Sequence, residues 1–245
     1  MLNRLNHPVA GQGLHPSDCR LCGDNKCNFK HDVPRVNVTG LSPLKEIISF
    51  ERGQSIGRDI NRDDHILIVV EGAVAQSAIL DDGRRQIINY FTPGDVIFSI
   101  GDLTADDYRV ETLSQSTLTW VSMQSLTSSP TMAPNAISEL QYLIQTQLER
   151  SNRNQVSLGF YSSEEKICHF LSEITHRIGA ICKGGFRIHL PMNRKDIADY
   201  LALNTSTVIK ALRDMQKYGM ITFVSPKTII VHHFECIHES PIRRI

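Results

Sequence analysis

Three cysteines lie close together near the start of the chain. Cys19, Cys22 and Cys27 belong to a segment, residues 1–40, that is rich in Gly, Pro, Asn and Asp and lacks apolar periodicity. Packing gives little reason for three thiols there, and exposed thiols are prone to oxidation. Thiolates bind metals, and three of them with a nearby histidine such as His31 would make a zinc site. The grouping therefore predicts a metal centre, with uncoordinated thiols as the alternative.

A second group of residues with a recognisable task lies in two short helices near the C-terminus. Asn193 is suited to cap a helix over 194–201, and Asn204 is suited to cap a second helix over 205–217. Gly219 follows the second helix, as a helix stop should. Two β-rich runs come next and predict a hairpin. The sequence therefore predicts a winged helix-turn-helix in this region.

Such a pair of helices is suited to DNA, because the second helix can enter the major groove and its first residues then reach base edges. Residues 160–245 carry 12 Lys and Arg against 8 Asp and Glu, whereas the rest of the chain carries 14 against 18. A basic module of this kind suits a nucleic-acid partner. The alternative is a helical hairpin that only packs. The predicted DNA-contacting residues are Thr205, Ser206, Thr207, Lys210 and Arg213.

Residues 41–133 precede these helices, and their sequence pattern predicts β structure. Short runs rich in Val and Ile are separated by turn signals every ~10–20 residues. The clearest turns are Glu71-Gly72, Asp81-Asp82-Gly83 and Pro93-Gly94-Asp95. This pattern indicates an antiparallel sandwich or barrel.

The apolar period changes at about Asn135, and residues 134–158 predict one long helix. Apolar residues recur there at steps of three and four, which places them in one narrow stripe. Two uses of the stripe are open: it packs on its own domain, or it pairs with the same helix of a second copy, as in a coiled coil. The residues of the stripe are Ile137, Leu140, Ile144 and Leu148.

The sequence argues against a membrane protein and against an enzyme. No apolar run approaches the ~18–20 residues that span a bilayer, and residues 1–14 lack the apolar core of a signal peptide. We therefore expect a cytoplasmic protein. His65 stands alone in the β-rich region, without the second histidine and the carboxylate of a cupin-type metal site, and no nucleophile is grouped with a base. We therefore expect no catalytic activity.

Two stretches of the chain resemble the CRP/FNR family of transcription regulators. Asp196-Ile197-Ala198-Asp199-Tyr200-Leu201-Ala202-Leu203, followed by Ser206-Thr207-Val208-Ile209-Lys210, resembles the family's helix-turn-helix. Glu71-Gly72 and Pro93-Gly94-Asp95-Val96-Ile97 resemble the turns of its β-roll. The resemblance implies an α+β fold, with an N-terminal antiparallel β-roll (a jelly roll like that of cyclic-nucleotide-binding domains), a long dimerisation helix and a C-terminal winged helix-turn-helix.

The resemblance also implies a separate role for each of four segments of the chain. Residues 1–40 would be the cysteine-containing segment, 41–133 the β-roll sensor, 134–158 the dimerisation helix and 159–245 the DNA-binding domain. A member of this family is expected to bind a palindromic double-stranded DNA operator as a homodimer, with the apolar stripe as its interface, and to act with RNA polymerase.

The recognition helix departs from the family pattern at its first turn. Many members have a Glu and an Arg that contact bases, and Ser206 and Lys210 occupy those positions here. Lys does not replace an Arg that grips guanine through two hydrogen bonds. The resemblance therefore implies DNA binding without implying the usual target sequence.

The resemblance also allows a prediction of whether the β-roll binds a cyclic nucleotide. Where cyclic-nucleotide-binding members hold ribose and phosphate, this chain has Phe98 to Asp102 and Asp106-Asp107. These carboxylates would repel a phosphate, so no cyclic nucleotide is expected. Binding of another kind of small molecule in the β-roll stays open as an alternative.

The cysteine segment, with Cys19-x2-Cys22-x4-Cys27, is similar to the N-terminal run that binds an oxygen-labile [4Fe-4S] cluster in FNR-like members. The implied function is a response to oxygen or redox state. The family's second spacing is one residue longer, and its fourth cysteine corresponds to Thr119 here. The fourth ligand is therefore left open, with His15, His31 or an Asp available.

Overall fold

Residues 47–56, 65–98, 108–122, 124 and 133–232 are described by the computed structural model. Seven strands form two antiparallel sheets, with the orders β1-β7-β2-β5 and β4-β3-β6. We call these two sheets the β-roll. The strands are β1 (Ile47–Phe50), β2 (His65–Glu71), β3 (Val74–Ile79), β4 (Arg85–Phe91), β5 (Val96–Phe98), β6 (Tyr108–Thr112) and β7 (Ser116–Ser122). The predicted antiparallel β architecture is confirmed.

Strand β2 is buried on both of its faces, which explains its unbroken apolar run. Leu67 and Val69 point into the core between the sheets, together with residues such as Leu118. Ile66 and Ile68 point the other way and belong to a smaller apolar cluster that covers the outside of the sheet. Successive side chains of a strand alternate between faces, so positions 66 to 69, which are buried on both faces, all have apolar residues.

Helix α1 (Ala133–Phe160) has 28 residues, which makes it about 42 Å long at 1.5 Å per residue. It extends further at its C-terminal end than the sequence pattern predicted. Leu143 is 1% exposed and packs on the outer cluster of β2, and Leu140 is partly buried against the same cluster. These contacts seat the first half of α1 on the β-roll.

The C-terminal part contains three helices and a third antiparallel sheet, of order β10-β11-β9-β8. The predicted hairpin is confirmed as β10–β11, and β9 extends it into a sheet. Strand β8 has no apolar pattern of its own and was not predicted. The elements are α2 (Ser163–Ile178), β8 (Ala180–Cys182), β9 (Gly185–His189), α3 (Arg194–Leu201), α4 (Thr205–Lys217), β10 (Ile221–Phe223) and β11 (Thr228–Val231).

One apolar core joins the β-roll to the C-terminal part. Ile87 and Tyr90 of β4 belong to the same buried cluster as Phe170 of α2 and Tyr200 of α3. The rings of Tyr90 and Tyr200 meet edge to face, with centroids 5.0 Å apart. The outer face of β4 therefore serves as the platform on which α2 and α3 rest. Among the described residues, no helix is long and apolar enough to cross a membrane.

Candidate nucleic-acid interface

Helix α3 begins and ends as the sequence predicted. The side chain of Asn193 accepts a hydrogen bond from the backbone N–H of Asp196 at 2.8 Å, and the Asp196 carboxylate accepts one from the N–H of Asn193 at 3.1 Å. This reciprocal capping box satisfies two of the free N–H groups at the start of the helix. At the other end Ala202 takes the left-handed conformation, with φ 52°. Ala202 turns the chain sharply toward α4.

Helix α4 buries one face and leaves the other open. Val208, Ala211, Leu212 and Met215 are buried and form the core face. Asn204 stands at the N-cap position, but its side chain makes no capping hydrogen bond. The sequence-based expectation that it caps α4 is wrong in this respect. The N-terminal end of a helix carries partial positive charge from its free N–H groups, so this uncapped end suits an anion such as a DNA phosphate.

The five predicted DNA-contacting residues lie together along the open side of α4. Ser206, Lys210 and Arg213 are exposed, and Thr205 and Thr207 are half-buried. Positions 206, 210 and 213 are four and three residues apart, so their side chains follow one line on the helix surface. The structure brings these residues onto one surface, and their contact with DNA stays a prediction.

Arg194 connects α3 to the hairpin and was not singled out from the sequence. Its guanidinium lies 5.2 Å from the ring centroid of Phe223 on β10. The same group donates a hydrogen bond to the carbonyl oxygen of Pro226, at the hairpin tip, at 3.1 Å. Burial lowers the pKa of Arg194. The sequence offers one signal for Arg194, since it is a basic residue at the first position of a capped helix. That signal does not reveal its partner Pro226, which lies 32 residues further along the sequence.

Both parts of this architecture match models of known domain families. A model of the cyclic nucleotide-binding domain matches residues 47–128, and a model of the Crp-like helix-turn-helix domain matches residues 165–237. The two matches cover the β-roll and the helix-turn-helix in the expected order.

The chain belongs to the CRP/FNR family.

Individual relatives of this CRP/FNR chain span most of its length. The nitrogen fixation regulation protein FixK of Rhizobium meliloti is 26% identical over 199 residues, covering 81% of this chain and 88% of the relative. The transcriptional activator protein FnrL of Cereibacter sphaeroides is 24% identical over 226 residues, covering 89% and 91%. The solved structure of FixK2 from Bradyrhizobium japonicum has a TM-score of 0.67 at 27% identity, covering 80% of this chain and 96% of FixK2.

These relatives are regulators of transcription and not enzymes. The interpretation of this chain as a DNA-binding transcription regulator of the CRP/FNR family is therefore confirmed, together with its fold class.

Behind the helix-turn-helix of this regulator, one buried carboxylate joins three parts of the chain. Asp95, in the turn between β4 and β5, pairs with Arg150 of α1 at 3.0 Å and with Arg177 of α2. The backbone N–H of Thr92 also donates to Asp95, at 2.7 Å. Burial alone would raise the pKa of Asp95, but the two guanidinium groups outweigh it and hold that pKa below its usual range. Asp95 thus links the β-roll to α1 and to the DNA-binding part.

A cavity of about 380 Å³ lies next to this ion cluster. It opens between the β-roll and α1, and both guanidinium groups that pair with Asp95 contribute to its wall. Polar side chains from both sides also line it, among them Gln76 and Asn89 from the β-roll and Gln147 and Ser151 from α1. The cavity therefore has a mixed polar and apolar lining and borders the β-roll, α1 and α2. In the region where a cyclic nucleotide would bind, residues 99–107 lie outside the described part of the chain.

The apolar stripe of α1 divides into two faces. Ile137, Ile144 and Leu148 are 40%, 42% and 59% exposed, whereas Leu140 packs on the β-roll of its own chain. Packing on its own domain is therefore seen at Leu140, and pairing with a second copy stays a prediction for the three exposed residues. Leu143, which is not one of the four residues of the predicted stripe, takes the most buried inward position.

The predicted metal ligands Cys19, Cys22 and Cys27 lie outside the described residues. Thr119, at the position of the family's fourth cysteine, is buried in the middle strand β7. Within the described ranges, no group of three or more His, Cys, Asp or Glu side chains could hold a metal ion. Cys168 and Cys182 are half-buried thiols, and burial raises the pKa of the Cys182 thiol.

Proposed function

We propose that this regulator reads a twofold DNA operator as a homodimer, with α4 in the major groove. The observation that carries the proposal is the open face of α4, where Ser206, Lys210 and Arg213 form one line beside an uncapped helix N-terminus. Thr205 and Thr207 flank this line and supply hydroxyl groups that can bind phosphates. Lys210 can contact a phosphate or a guanine edge.

The homodimer is proposed to form through the exposed part of the α1 stripe. Ile137 and Ile144 are seven residues apart, and Leu148 follows four residues later, which is the spacing of core positions in a coiled coil. A twofold operator requires a twofold protein. By analogy with the activator FnrL, we propose that the dimer acts on RNA polymerase as an activator of transcription.

An operator selection tests the DNA-reading proposal. The full-length protein is used to enrich duplexes from a random pool, and the enriched sequences are aligned. The expected result is an inverted repeat whose half-site centres lie about one helical turn apart, ~34 Å. Enrichment of a single asymmetric site, or of no site, would contradict the proposed twofold mode of reading.

For the sensor, we propose a [4Fe-4S] cluster held by Cys19, Cys22 and Cys27. The chemistry of these donors fits, because thiolates are the usual ligands of such clusters. The set is incomplete, because the hydroxyl of Thr119 is no substitute for a thiolate and its strand is buried. When bound, a cluster of this kind supplies a redox-sensitive centre. The residues of this chain contribute three ligands on the segment that leads into the β-roll.

Anaerobic purification tests the cluster. Protein from iron-replete cells should be brown, should contain about four irons per chain as [4Fe-4S] clusters do, and should bleach in air. Cys22→Ser should abolish the colour. Cys168→Ser, which removes one half-buried thiol as a matched control, should keep it. Colourless and iron-free anaerobic protein that binds DNA equally with and without oxygen would exclude oxygen sensing by this route while leaving DNA binding intact.

The second candidate is a regulator that senses a small molecule without a metal centre. The cavity of about 380 Å³ between the β-roll and α1 favours it, because its walls belong to both the sensor half and the DNA-binding part. Native mass spectrometry of anaerobically purified protein distinguishes the two candidates, since a retained organic ligand supports the cavity and bound iron with sulfide supports the cluster.

A further inference from the structure

Arg85 of β4 connects the β-roll to the first helix of the helix-turn-helix. Its Nε donates to the Asp199 carboxylate at 2.9 Å, and its Nη2 donates to the Asp196 carboxylate at 2.5 Å. Its Nη1 donates to Glu111 on β6, also at 2.5 Å. Asp196 and Asp199 are three residues apart on α3, so they present their carboxylates on one side of that helix. One guanidinium thus holds its own β-roll and α3 at the same time.

Other side chains of the β-roll hold both ends of α3. Arg52 pairs with the second oxygen of Asp196 at 3.4 Å, at the beginning of the helix. Gln86, next to Arg85, donates from its amide to the backbone carbonyl of Tyr200 at 3.2 Å, near the end of the helix. That carbonyl is one of the last in α3, where intrahelical partners run out. The eight residues of α3 are therefore fixed to β4 in direction as well as in position.

The direction of α3 determines the direction of α4. Residues 202–204 connect the two helices, and Leu203 donates its backbone N–H to the carbonyl of Ala198 at 2.9 Å. Both helices also share one apolar core. A tilt of α3 against β4 would therefore tilt α4 and its open face by the same angle.

These contacts lie in series between the proposed dimer axis and the DNA. Helix α1 carries the exposed stripe and is seated on the β-roll through Leu143 and through the Arg150–Asp95 pair. The β-roll in turn holds α3 through Arg85. Hydrogen bonds between a guanidinium and carboxylates are directional, whereas the apolar contacts beneath α3 tolerate sliding. The angle of the reading helix is therefore set most sharply by the Arg85 cluster, that is, by Arg85 with Asp196, Asp199 and Glu111.

We infer that Arg85 is a positioning residue for DNA recognition, which fixes the distance and angle between the two reading helices of the dimer. This inference rests on the proposed reading of DNA by α4. A dimer with fixed helices accepts one half-site spacing and does not have to order its helices on binding. A dimer with loosened helices accepts several spacings and loses affinity for the best one through the cost of ordering.

The test measures selectivity for half-site spacing. Full-length protein and its variants are titrated against the enriched operator, against operators with one or two base pairs inserted or deleted at the centre, and against a single half-site. Arg85→Gln and Asp199→Asn remove the charge on either side of the pair and keep the side chains similar in size. Arg84→Gln is the matched control, because Arg84 pairs with Asp82 in the exposed turn that precedes β4.

The wild-type protein and Arg84→Gln are expected to prefer the enriched spacing strongly. Arg85→Gln and Asp199→Asn should reduce that preference by about fivefold or more, and the double variant should lose little beyond either single variant, as coupled residues do. Affinity for the single half-site should stay unchanged, since the open face of α4 is intact.

Two results would overturn the inference. One is full spacing selectivity in both variants. The other is an equal loss of affinity for half-site and full operator, which would indicate damage to the fold and not to the angle. If Arg85→Gln does not fold, as judged by circular dichroism, Asp199→Asn decides the matter alone. Failure of the proposed DNA reading would look different, because Lys210→Ala would then leave affinity for the half-site and for the full operator unchanged.

Discussion

At the scale of single residues, buried charge is concentrated where the parts of the chain meet. Asp95 is 5% exposed and faces Arg150 and Arg177, while Arg177 also pairs with Glu173 at 3.2 Å. A buried ion pair adds little net stability over apolar packing, but removing one partner leaves an uncompensated charge in the interior. We therefore expect that loss of the Asp95 charge weakens the contacts that join the β-roll to α1 and α2.

Asp95→Asn should reduce the free energy of unfolding by about 3 kcal/mol at pH 7, the low end for a broken buried pair because Glu173 still faces Arg177. The pKa of Asp95 is lowered in the folded chain. Its stabilising contribution is therefore complete above the unfolded pKa of about 3.9 and is lost as the pH falls through the folded value. Urea unfolding at fixed protein concentration should show the gap between wild type and variant shrinking below about pH 4.

The control for this measurement is Asp81→Asn in the exposed β3–β4 turn, which should leave stability nearly unchanged. A gap of the same size at pH 7 and in acid would show that Asp95 stabilises the chain by shape and not by charge.

At the scale of elements, the two faces of α1 differ in burial. Leu140 and Leu143 hold the helix on the β-roll, and Ile137, Ile144 and Leu148 face outward. Apolar side chains in line on an exposed helix face indicate a surface that another helix covers. The helix is thus suited both to support the sensor half and to form the twofold contact.

Ile144→Glu should convert dimers into monomers, because a charge would be buried at the proposed interface. Sedimentation at micromolar concentration is the measurement. Tyr142→Glu is the matched control, since Tyr142 is 50% exposed on the side of α1 turned away from Ile144. The monomer should lose affinity for the full palindrome far more than for a half-site. If Ile144→Glu still sediments as a dimer, the twofold contact lies elsewhere on the molecule.

At the scale of the whole molecule, local signals were predictable and distant contacts were not. The bounds of α3 and α4 follow from residues a few positions apart, and the structure has them as predicted. The contacts of Arg85 with Asp196 and of Asp95 with Arg177 join residues 111 and 82 positions apart. A single sequence contains no periodic pattern that pairs such charges.

The same reasoning explains two smaller differences. Strand β8 forms because β9 offers it a partner, and no apolar alternation indicates it. The apolar residues of the α1 stripe meet different neighbours, which a period of 3.6 residues alone does not distinguish. The proposed DNA-contacting residues were predictable as a helix face, and their order along α4 follows from spacing alone.

The salt dependence of operator binding tests most directly whether α4 reads DNA through its open face, as proposed. Affinity for the enriched operator is measured across a series of salt concentrations for wild type, Lys210→Ala and Arg213→Ala. Arg84→Ala is the control, since it removes one exposed charge from the β3–β4 turn, outside the helix-turn-helix. Lys210→Ala and Arg213→Ala should bind more weakly, and the slope of log affinity against log salt should fall by about 1 for each phosphate that the variant no longer neutralises. Arg84→Ala should match the wild type, and unchanged affinity and slope in both Lys210→Ala and Arg213→Ala would contradict the reading of DNA by α4.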